Sequence, residues 1–438
     1  MAHIKHKSQI INHAPPHLKQ ARQHALEIIE GVLAHMDPYT LVSSCLKREK
    51  NHLVVLDKKY DLSHFADIYL VGFGKASYGM ARAVHTILDI THGAIITTEK
   101  KTLPGIDTYQ GTHPLPSQKN IQATQHLLDI VQTTRKQDLL LVLISGGGSS
   151  LFCHPKIPLD HLTDLTASLL DKGCSITELN TVRGHLSHVK LGGLARMTKA
   201  QIVSLIISDV IGDPLDFIAS GPTYPGASTP TDAQRILQKY SLWGQDPLIK
   251  DSIIREIASQ KHKKQVFRDH VDNVIIANNH RACTQAINIS QKQGYHPHLL
   301  TTTLQGEARH IGRDLVRYAK IFPRAKSVII AGGETTVSVT GTGKGGRNQE
   351  LVLGALQELH NTPIVIASCG TDGIDGSTTA AGAIADGSSF SRANQKGLDP
   401  HIFLENNDSY SFFHKLNDLL ITGPTGTNVM DLQVLIIP

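Results

Sequence analysis

The sequence predicts an α/β protein of two domains, and three observations favour that fold class. Short apolar runs alternate with amphipathic stretches, a pattern typical of βαβ units and a parallel sheet. The run Leu139–Ile144 (LLLVLI) is apolar throughout, which indicates a strand buried on both faces. The chain has 438 residues, more than a single core usually holds. We therefore place one domain at residues 1–265 and a smaller α/β domain at residues 270–438, with the active site in the cleft between them.

The elements of the first domain follow from the spacing of its apolar residues. The predicted strands are Ile68–Gly74, Ala94–Thr98, Leu139–Ile144 and Ile202–Ser208, and the predicted helices are 17–36, Ala76–Leu88, Ile121–Thr133, Ile176–Arg196, 231–241 and 247–260. In the helix predicted at Ile176–Arg196, apolar side chains recur every three or four residues, and Gly192–Gly193 suits its C-terminal end. Residues 213–230 are rich in Pro, Gly and Ser, which predicts a long loop.

A second α/β run begins after the basic stretch 261–269, which we place near the domain boundary. Its predicted strands are Val274–Ala277, His298–Thr302, Ser327–Ala331, Ile364–Ser368 and Val434–Ile437, with a helix near Gln349–Leu359. This pattern predicts the α/β architecture of the second domain.

Composition and charge exclude several classes of function. The 43 basic and 38 acidic residues are scattered, and aromatic residues make up only 5%, which argues against a nucleic-acid surface. The five cysteines form no CxxC pair, as expected in a reducing compartment. We see no signal peptide and no apolar run long enough to span a membrane. We therefore expect a cytoplasmic protein that binds neither nucleic acid nor membrane.

Two Gly-rich loops follow predicted strands of the first domain, and both favour anion binding. In Val71–Ser77 (VGFGKAS), Lys75 stands at a helix start, where the helix dipole disfavours a cation unless an anion is nearby. The second loop is rich in backbone N–H donors and consists of Ser145, Gly146, Gly147, Gly148, Ser149 and Ser150. It lacks the GK[ST] of a Walker A loop. The alternatives are a solvated lysine after a turn and a simple strand-to-loop turn.

Two further groups in the first domain carry chemistry. Asn180, Arg183, Ser187 and Lys190 recur at spacings of three and four residues and form either a polar stripe for an anion or the solvent face of a helix. Asp209 and Asp213 follow the strand Ile202–Ser208. They suit Mg²⁺ binding or proton abstraction, or else they shape a turn.

The second domain has similar loops. Ala331–Thr336 (AGGETT) precedes Gly343–Glu350 (GKGGRNQE), in which Arg347 stands at a helix start and favours an anionic ligand. Asp372 and Asp375 either bind a metal or shape Asx turns. In open α/β sheets, ligands bind outside the carboxyl ends of the strands. Glycines combined there with cations, carboxylates and hydroxyls fit an ATP-using transferase.

Nine motifs in their order along the chain resemble the class II glycerate kinases, the glycerate 2-kinase family with a C-terminal MOFRL domain. They are GFGKAS, THPLPS, SGGGSS, ELNTVRGHLSHVKLGGLAR, SDVIGD, ASGPT, AGGETTV, GKGGRNQE and GTDGIDG. The resemblance runs from about residue 20 to the C-terminus. It implies a Rossmann-like N-terminal domain and Mg²⁺-dependent transfer of the ATP γ-phosphoryl group to the 2-hydroxyl of D-glycerate, which yields 2-phosphoglycerate and ADP. The implied partners are D-glycerate and ATP, and a homo-oligomer is left open.

The site residues are assigned on this basis. Lys75, Arg347 and Asp209 are the predicted catalytic residues, and Asp209 with Asp213 is the predicted metal site. Lys75 and Arg347 would neutralise the transferred phosphoryl group or hold the glycerate carboxylate. The predicted substrate and phosphate ligands are Ser145, Gly146, Gly147, Gly148, Ser149, Ser150, Asn180, Arg183, Glu334 and Asn348.

One position departs from the family pattern, and two other functions remain. Two glycines and then a basic residue are expected after Lys190, but Leu191 intervenes before Gly192 and Gly193. The rival functions are a hydroxypyruvate reductase and a non-catalytic metabolite-binding protein. The incomplete GxGxxG motif argues against the first, and the presence of the cleft Lys, Arg and Asp residues argues against the second.

Overall fold

The structure, a computed structural model, describes residues 4–260, 270–322 and 324–438. In chain order the α-helices are α1 (Lys7–Asn12), α2 (Pro16–His35), α3 (Pro38–Cys45), α4 (Ser77–Ile87), α5 (Gln118–Thr133), α6 (Gly148–Leu151), α7 (Leu159–Asp171), α8 (Ile176–His185), α9 (Pro230–Lys239), α10 (Pro247–Gln260), α11 (Asn279–Lys292), α12 (Ala308–Ile321), α13 (Arg347–Leu359), α14 (Ser389–Gln395), α15 (Pro400–Glu405) and α16 (Ser409–Leu416). The strands are β1 (Leu46–Glu49), β2 (His52–Val55), β3 (Lys58–Asp61), β4 (Ile68–Phe73), β5 (His92–Thr97), β6 (Asp107–Gln110), β7 (Leu139–Ile144), β8 (Gln201–Ile207), β9 (Val271–Ala277), β10 (His296–Leu304), β11 (Ser327–Gly333), β12 (Val365–Gly370), β13 (Gly382–Asp386), β14 (Leu419–Leu420) and β15 (Asp431–Ile437).

The chain divides into two compact units, and the division differs from the predicted one at the N-terminus. One unit is Leu41–Ile276, and the other combines Met1–Thr40 with Ala277–Pro438. The sequence assigned residues 1–265 to a single domain, whereas the first forty residues group with the C-terminal part of the chain. The strand predicted at Val274–Ala277 was assigned to the second domain, but it is part of β9, which pairs with β8 in the sheet of Leu41–Ile276. The basic stretch 261–269, predicted to lie near the boundary, falls outside the described residues.

The unit Leu41–Ile276 is built on a six-stranded sheet in the order β6-β5-β4-β7-β8-β9. Strands β6, β5, β4, β7 and β8 pair in parallel, as the sequence predicted. All six residues of β7 are buried because the strand lies inside the sheet with covered faces. In register, Phe73 lies opposite Ile144, and Ile144 lies opposite Ile206. The loops after β4, β7 and β8 therefore leave the same edge of the sheet.

The long helix predicted at Ile176–Arg196 is wrong in its second half, because α8 ends at His185. Beyond that point the backbone bonds to other segments: the N–H of His188 donates to His154 O, and the N–H of Leu191 donates to Ser220 O. Leu191 has a left-handed φ of 50°. Lys190 therefore lies in a turn and not on a helical stripe.

The other unit contains a six-stranded mixed sheet in the order β10-β11-β15-β12-β13-β14. Strands β10 and β11 are parallel, and the remaining pairs are antiparallel. Helix α2 packs against α11, β12 and β15 of this unit. Its Arg22 is completely buried and forms ion pairs with Asp386 at 2.5 Å and Asp418 at 2.7 Å. These buried charges explain why the N-terminal helix belongs to the C-terminal unit. The predicted fold class, a parallel α/β domain and a second α/β domain, is confirmed.

Candidate active site

The loops after β4 and β7 are joined at the edge of the parallel sheet. The N–H of Lys75 donates to Gly146 O at 2.9 Å, and the N–H of Ala76 donates to Ser145 Oγ at 3.1 Å. Gly74 has a φ of +125°, and a Cβ there would lie 2.2 Å from Ser145 Oγ, so only glycine permits this approach. The two predicted anion loops thus form one structural element.

The side chain of Lys75 lies over the second loop. A Cβ added at Gly147 would be 3.4 Å from Lys75 Cγ, which places the lysine stem beside that glycine. In the described part of the chain, the backbone N–H groups of Gly146, Gly147 and Ser149 donate to no other residue. Free N–H donors beside a cation form a concave surface suited to phosphate oxygens.

Asp209 approaches the same loop from the end of β8. A Cβ at Gly146 would lie 2.2 Å from Asp209 Oδ2, so this carboxylate rests directly against the loop backbone. Asp213 follows four residues later with a left-handed φ of 55° and is half-buried. Within residues 4–260, 270–322 and 324–438, no group of three or more His, Cys, Asp and Glu side chains is arranged to hold a metal ion.

His113 belongs to this site but was not among the predicted residues. Its Cδ2 would be 3.0 Å from a Cβ at Gly147. Burial, together with the nearby charge of Lys75, lowers the pKa of His113. His113 could have been found from the sequence, because it lies in the THPLPS motif, one of the nine motifs that carry the family resemblance.

Lys190 contacts the loop after β7, and Arg183 is close enough for its charge to act on Lys190. Lys190 is 4% exposed, and its Nζ donates to Ser149 O at 2.7 Å. The Oγ atoms of Ser149 and Ser220 are hydrogen-bonded at 2.8 Å. Burial, reinforced by the charge of Arg183, lowers the pKa of Lys190 to about 7. Because Lys190 is buried, it does not belong to the solvent face that was one alternative for the stripe.

Arg183 has no ion-pair partner among the residues that the structure describes. Its Nε is buried and has no hydrogen-bond acceptor. Burial lowers the pKa of Arg183. Asn180 lies one turn earlier on α8 and is half-buried. The unsatisfied guanidinium is a reason to expect an anionic ligand.

In the C-terminal unit, Arg347 is held by two carboxylates. Its Nε and Nη2 donate to the carboxylate of Asp431 at 2.6 and 2.9 Å, and its Nη1 lies 2.9 Å from Glu334 Oε1. Burial alone would lower the pKa of Arg347, but the hydrogen bonds and charge of Asp431 raise it above its usual value. Two predicted site residues, Arg347 and Glu334, are thus in contact. Asp431 was not among the predicted site residues, because it lies 84 positions further along the chain than Arg347.

Asp375 supports the start of α13. Its Oδ1 accepts from the N–H of Asn348 at 3.0 Å, and its Oδ2 accepts from the N–H of Gln349 at 2.9 Å. Burial raises the pKa of Asp375 to about 6. Asn348 is fully buried and accepts a further bond from Ser368 at 2.6 Å. Of the two roles considered for Asp375, the structural one fits these contacts, because both carboxylate oxygens already accept from N–H groups.

Comparison with known proteins places the chain in a family. A family profile described as a domain of unknown function (DUF4147) matches residues 24–254, and a MOFRL family profile matches residues 327–431. A Pyrococcus horikoshii protein named glycerate 2-kinase is 37% identical over 430 residues, which cover 95% of this chain and 97% of that protein. The chain belongs to the glycerate 2-kinase family. A Thermotoga maritima D-glycerate 2-kinase is 40% identical and covers 84% of this chain and 90% of its own.

Solved structures agree with this assignment to the glycerate 2-kinase family. A crystal structure of glycerate kinase from Thermotoga maritima has a TM-score of 0.86 at 37% identity and covers 96% of this chain and all of its own. One family relative has a different name: a putative hydroxypyruvate reductase of Agrobacterium vitis is 36% identical and covers 95% of this chain and 94% of its own. In the described part of this chain, no helix is both long enough and apolar enough to cross a membrane.

Proposed function

We propose that this protein is a glycerate 2-kinase that transfers the γ-phosphoryl group of ATP to the 2-hydroxyl of D-glycerate, with 2-phosphoglycerate and ADP as products. The observation that carries the proposal is the grouping of Lys75, the free N–H donors of Gly146 and Gly147, and the Asp209 carboxylate at one edge of the parallel sheet. Phosphoryl transfer depends on positioned cations and donors around the phosphate and on a carboxylate near the acceptor or metal.

In this proposal, the loops after β4 and β7 bind the phosphate groups. The N–H groups of Gly146, Gly147 and Ser149 would bind phosphate oxygens, and Lys75 would neutralise the charge that develops during transfer. Their positions are fixed before substrate arrives because the two loops are hydrogen-bonded to each other. Arg347 is a second cation for the phosphoryl group, and Asp431 and Glu334 orient its guanidinium.

Asp209 is the candidate for holding Mg²⁺ or accepting the hydroxyl proton, with Asp213 as a second metal ligand. Mg²⁺ is usually bound through one or two carboxylates, substrate phosphates and water, so the small number of acidic groups here fits an ATP-bound Mg²⁺. When bound, Mg²⁺ would screen the negative charge of the phosphates. If Asp209 is a ligand, Asp209→Asn raises the Mg²⁺ concentration needed for half-maximal activity. If Asp209 is the base, the same variant lowers kcat at saturating Mg²⁺.

A cytoplasmic location is part of the proposal. All five cysteines are free and buried. Reduced thiols are the usual state in the cytosol.

The direct test is to incubate the protein with Mg-ATP and D-glycerate and to identify the phosphoglycerate isomer by NMR. We expect 2-phosphoglycerate. Formation of the 3-isomer would contradict the assigned position, and absence of either product would contradict the kinase.

The reductase is the second candidate because one relative carries that name. A dinucleotide loop of the GxGxxG type needs a third glycine, but Ser77 stands there. Ser77 is buried, and its hydroxyl donates to Gly74 O at 2.8 Å. We therefore expect no oxidation of NADH in the presence of hydroxypyruvate.

A further inference from the structure

We propose that Arg183 and Lys190 together bind the carboxylate of the acceptor and thereby restrict phosphorylation to hydroxy acids. The inference deepens the proposed kinase function and rests on it. It assigns an acceptor subsite whose side chains differ from the phosphate donors, which are Lys75 and the N–H groups of the loop after β7.

The positive charges of Arg183 and Lys190 are not balanced by a nearby carboxylate of the described residues. Two cationic side chains lie close together, and the described residues supply neither of them with a carboxylate partner. The titratable neighbour that both face is the thiol of Cys153, and burial raises its pKa. Buried cations without a counter-charge are costly to a folded protein. An anionic ligand would remove that cost.

Lys190 and Arg183 also have hydrogen-bond donors that no described residue uses. Lys190 Nζ donates to Ser149 O at 2.7 Å and lies 3.5 Å from Ser220 Oγ, which leaves one of its three protons available. The guanidinium of Arg183 makes no hydrogen bond to another described residue, and its Nε is buried. A planar guanidinium with free donors binds a carboxylate through two parallel hydrogen bonds.

A carboxylate suits Arg183 and Lys190 better than a phosphate group does. The N–H groups and Lys75 already supply donors for phosphate on the loop after β7. A doubly charged phosphate loses more hydration energy on burial than a carboxylate, so the buried Lys190 with the half-buried Arg183 better suits the monoanion. Ser149 joins the two subsites, since its N–H is free for phosphate while its carbonyl oxygen holds Lys190. The acceptor would therefore be anchored within one residue of the phosphate loop.

The test compares Arg183→Leu with Arg235→Leu as a matched control. Arg235 is on α9 of the same unit, and its side chain is 72% exposed. We expect Arg183→Leu to raise KM for D-glycerate by roughly 10- to 100-fold, the loss expected for a charged hydrogen-bonding partner, with KM for ATP unchanged. The ratio of kcat/KM for glycerate to that for glycerol, which lacks the carboxylate, should fall by the same factor. Arg235→Leu should leave both unchanged.

Two other variants distinguish a loss of glycerate binding from a loss of folding. Lys190→Met should have the same effect as Arg183→Leu, and Arg183→Lys should restore part of the glycerate affinity. Circular dichroism identifies any variant that is unfolded. If Lys190→Met is unfolded, Arg183→Leu alone carries the test, because the Arg183 side chain bonds to no described residue.

Three outcomes would overturn the inference. An increase in KM for ATP alone would assign Arg183 and Lys190 to phosphate binding. An unchanged ratio of kcat/KM for glycerate to kcat/KM for glycerol would show that the pair does not recognise the acceptor. Glycerate binding by Arg183→Leu in calorimetry without ATP would exclude the subsite. Failure of the kinase is distinguishable from these: the wild-type protein would then form no phosphoglycerate, while the same calorimetry would still show Arg183-dependent glycerate binding.

Discussion

Arg347 and Asp431 form a two-point ion pair, with nitrogen–oxygen distances of 2.6 and 2.9 Å. Asp431 is completely buried at the start of β15, whereas the Arg347 side chain remains 30% exposed. A fixed carboxylate therefore sets the direction of a partly accessible guanidinium. The pair explains how a flexible arginine at a helix start is held ready for an anion.

This relationship predicts the effect of Asp431→Asn. The amide retains similar shape but loses the charge, so Arg347 should lose its fixed orientation. We expect kcat/KM to fall roughly 10- to 100-fold, as misplaced catalytic groups usually cause. Asp314→Asn is the control, because the Asp314 side chain on α12 of the same unit is 60% exposed and surface ion pairs contribute little. A folded Asp431→Asn enzyme with wild-type kinetics would show that Arg347 needs no such support.

Removal of the Lys75 charge should affect turnover more than stability. We expect Lys75→Ala to lower kcat by about 100- to 1,000-fold, a typical loss for one group that stabilises transition-state charge. Lys136→Ala, at an exposed position of the same unit, should be neutral. Steady-state kinetics at saturating ATP and glycerate measure the effect. Near-normal turnover of Lys75→Ala would remove Lys75 from the catalytic residues.

Glycerate affinity should depend on pH through Lys190. Its pKa is about 7 without ligand, and a bound carboxylate raises it. Affinity should therefore be greatest below pH 7 and fall as the pH rises from 7 towards the raised pKa of the complex. Arginine does not titrate in this range, and burial raises the pKa of the Cys153 thiol. Calorimetry between pH 6 and pH 9 checks this prediction, with Lys190→Arg as a variant whose profile should be flat because arginine does not titrate there.

Loss of the buried Arg22 charge should destabilise the protein. Arg22→Leu leaves Asp386 and Asp418 without their shared partner, although Arg392 still contacts Asp418. We expect a loss of about 3–5 kcal/mol in the free energy of unfolding, the usual cost of leaving one member of a buried ion pair. Gln20→Ala, at an exposed position of the same helix, should change it little. Denaturant unfolding followed by circular dichroism would contradict the prediction if the two variants were equally stable.

The parallel sheet and its functional edge could be predicted because their signals are local. The apolar run of β7 matches the strand at both ends, and Lys75 and Asp209 directly follow strands whose carboxyl ends share one edge. The roles assigned to these site residues stay predictions.

Features that depend on distant segments could not be predicted. The end of α8 is set by hydrogen bonds from His188 to His154 and from Leu191 to Ser220, and helical periodicity contains no information about such partners. Asp431 was missed for the same reason, since a carboxylate at the start of a strand reveals its partner only in three dimensions. The grouping of α2 with the C-terminal unit depends on Arg22 and Asp386, which are 364 positions apart.

That separation has a consequence for biosynthesis. At a translation rate of about 5–20 residues per second, Arg22 is made roughly 20–70 s before Asp386. During that interval, α2 exists without the strands that cover its apolar face, and the unit Leu41–Ile276 is completed before Asp386 is made. The amphipathic helix α2 therefore stays uncovered on the nascent chain until β12 and β15 are made.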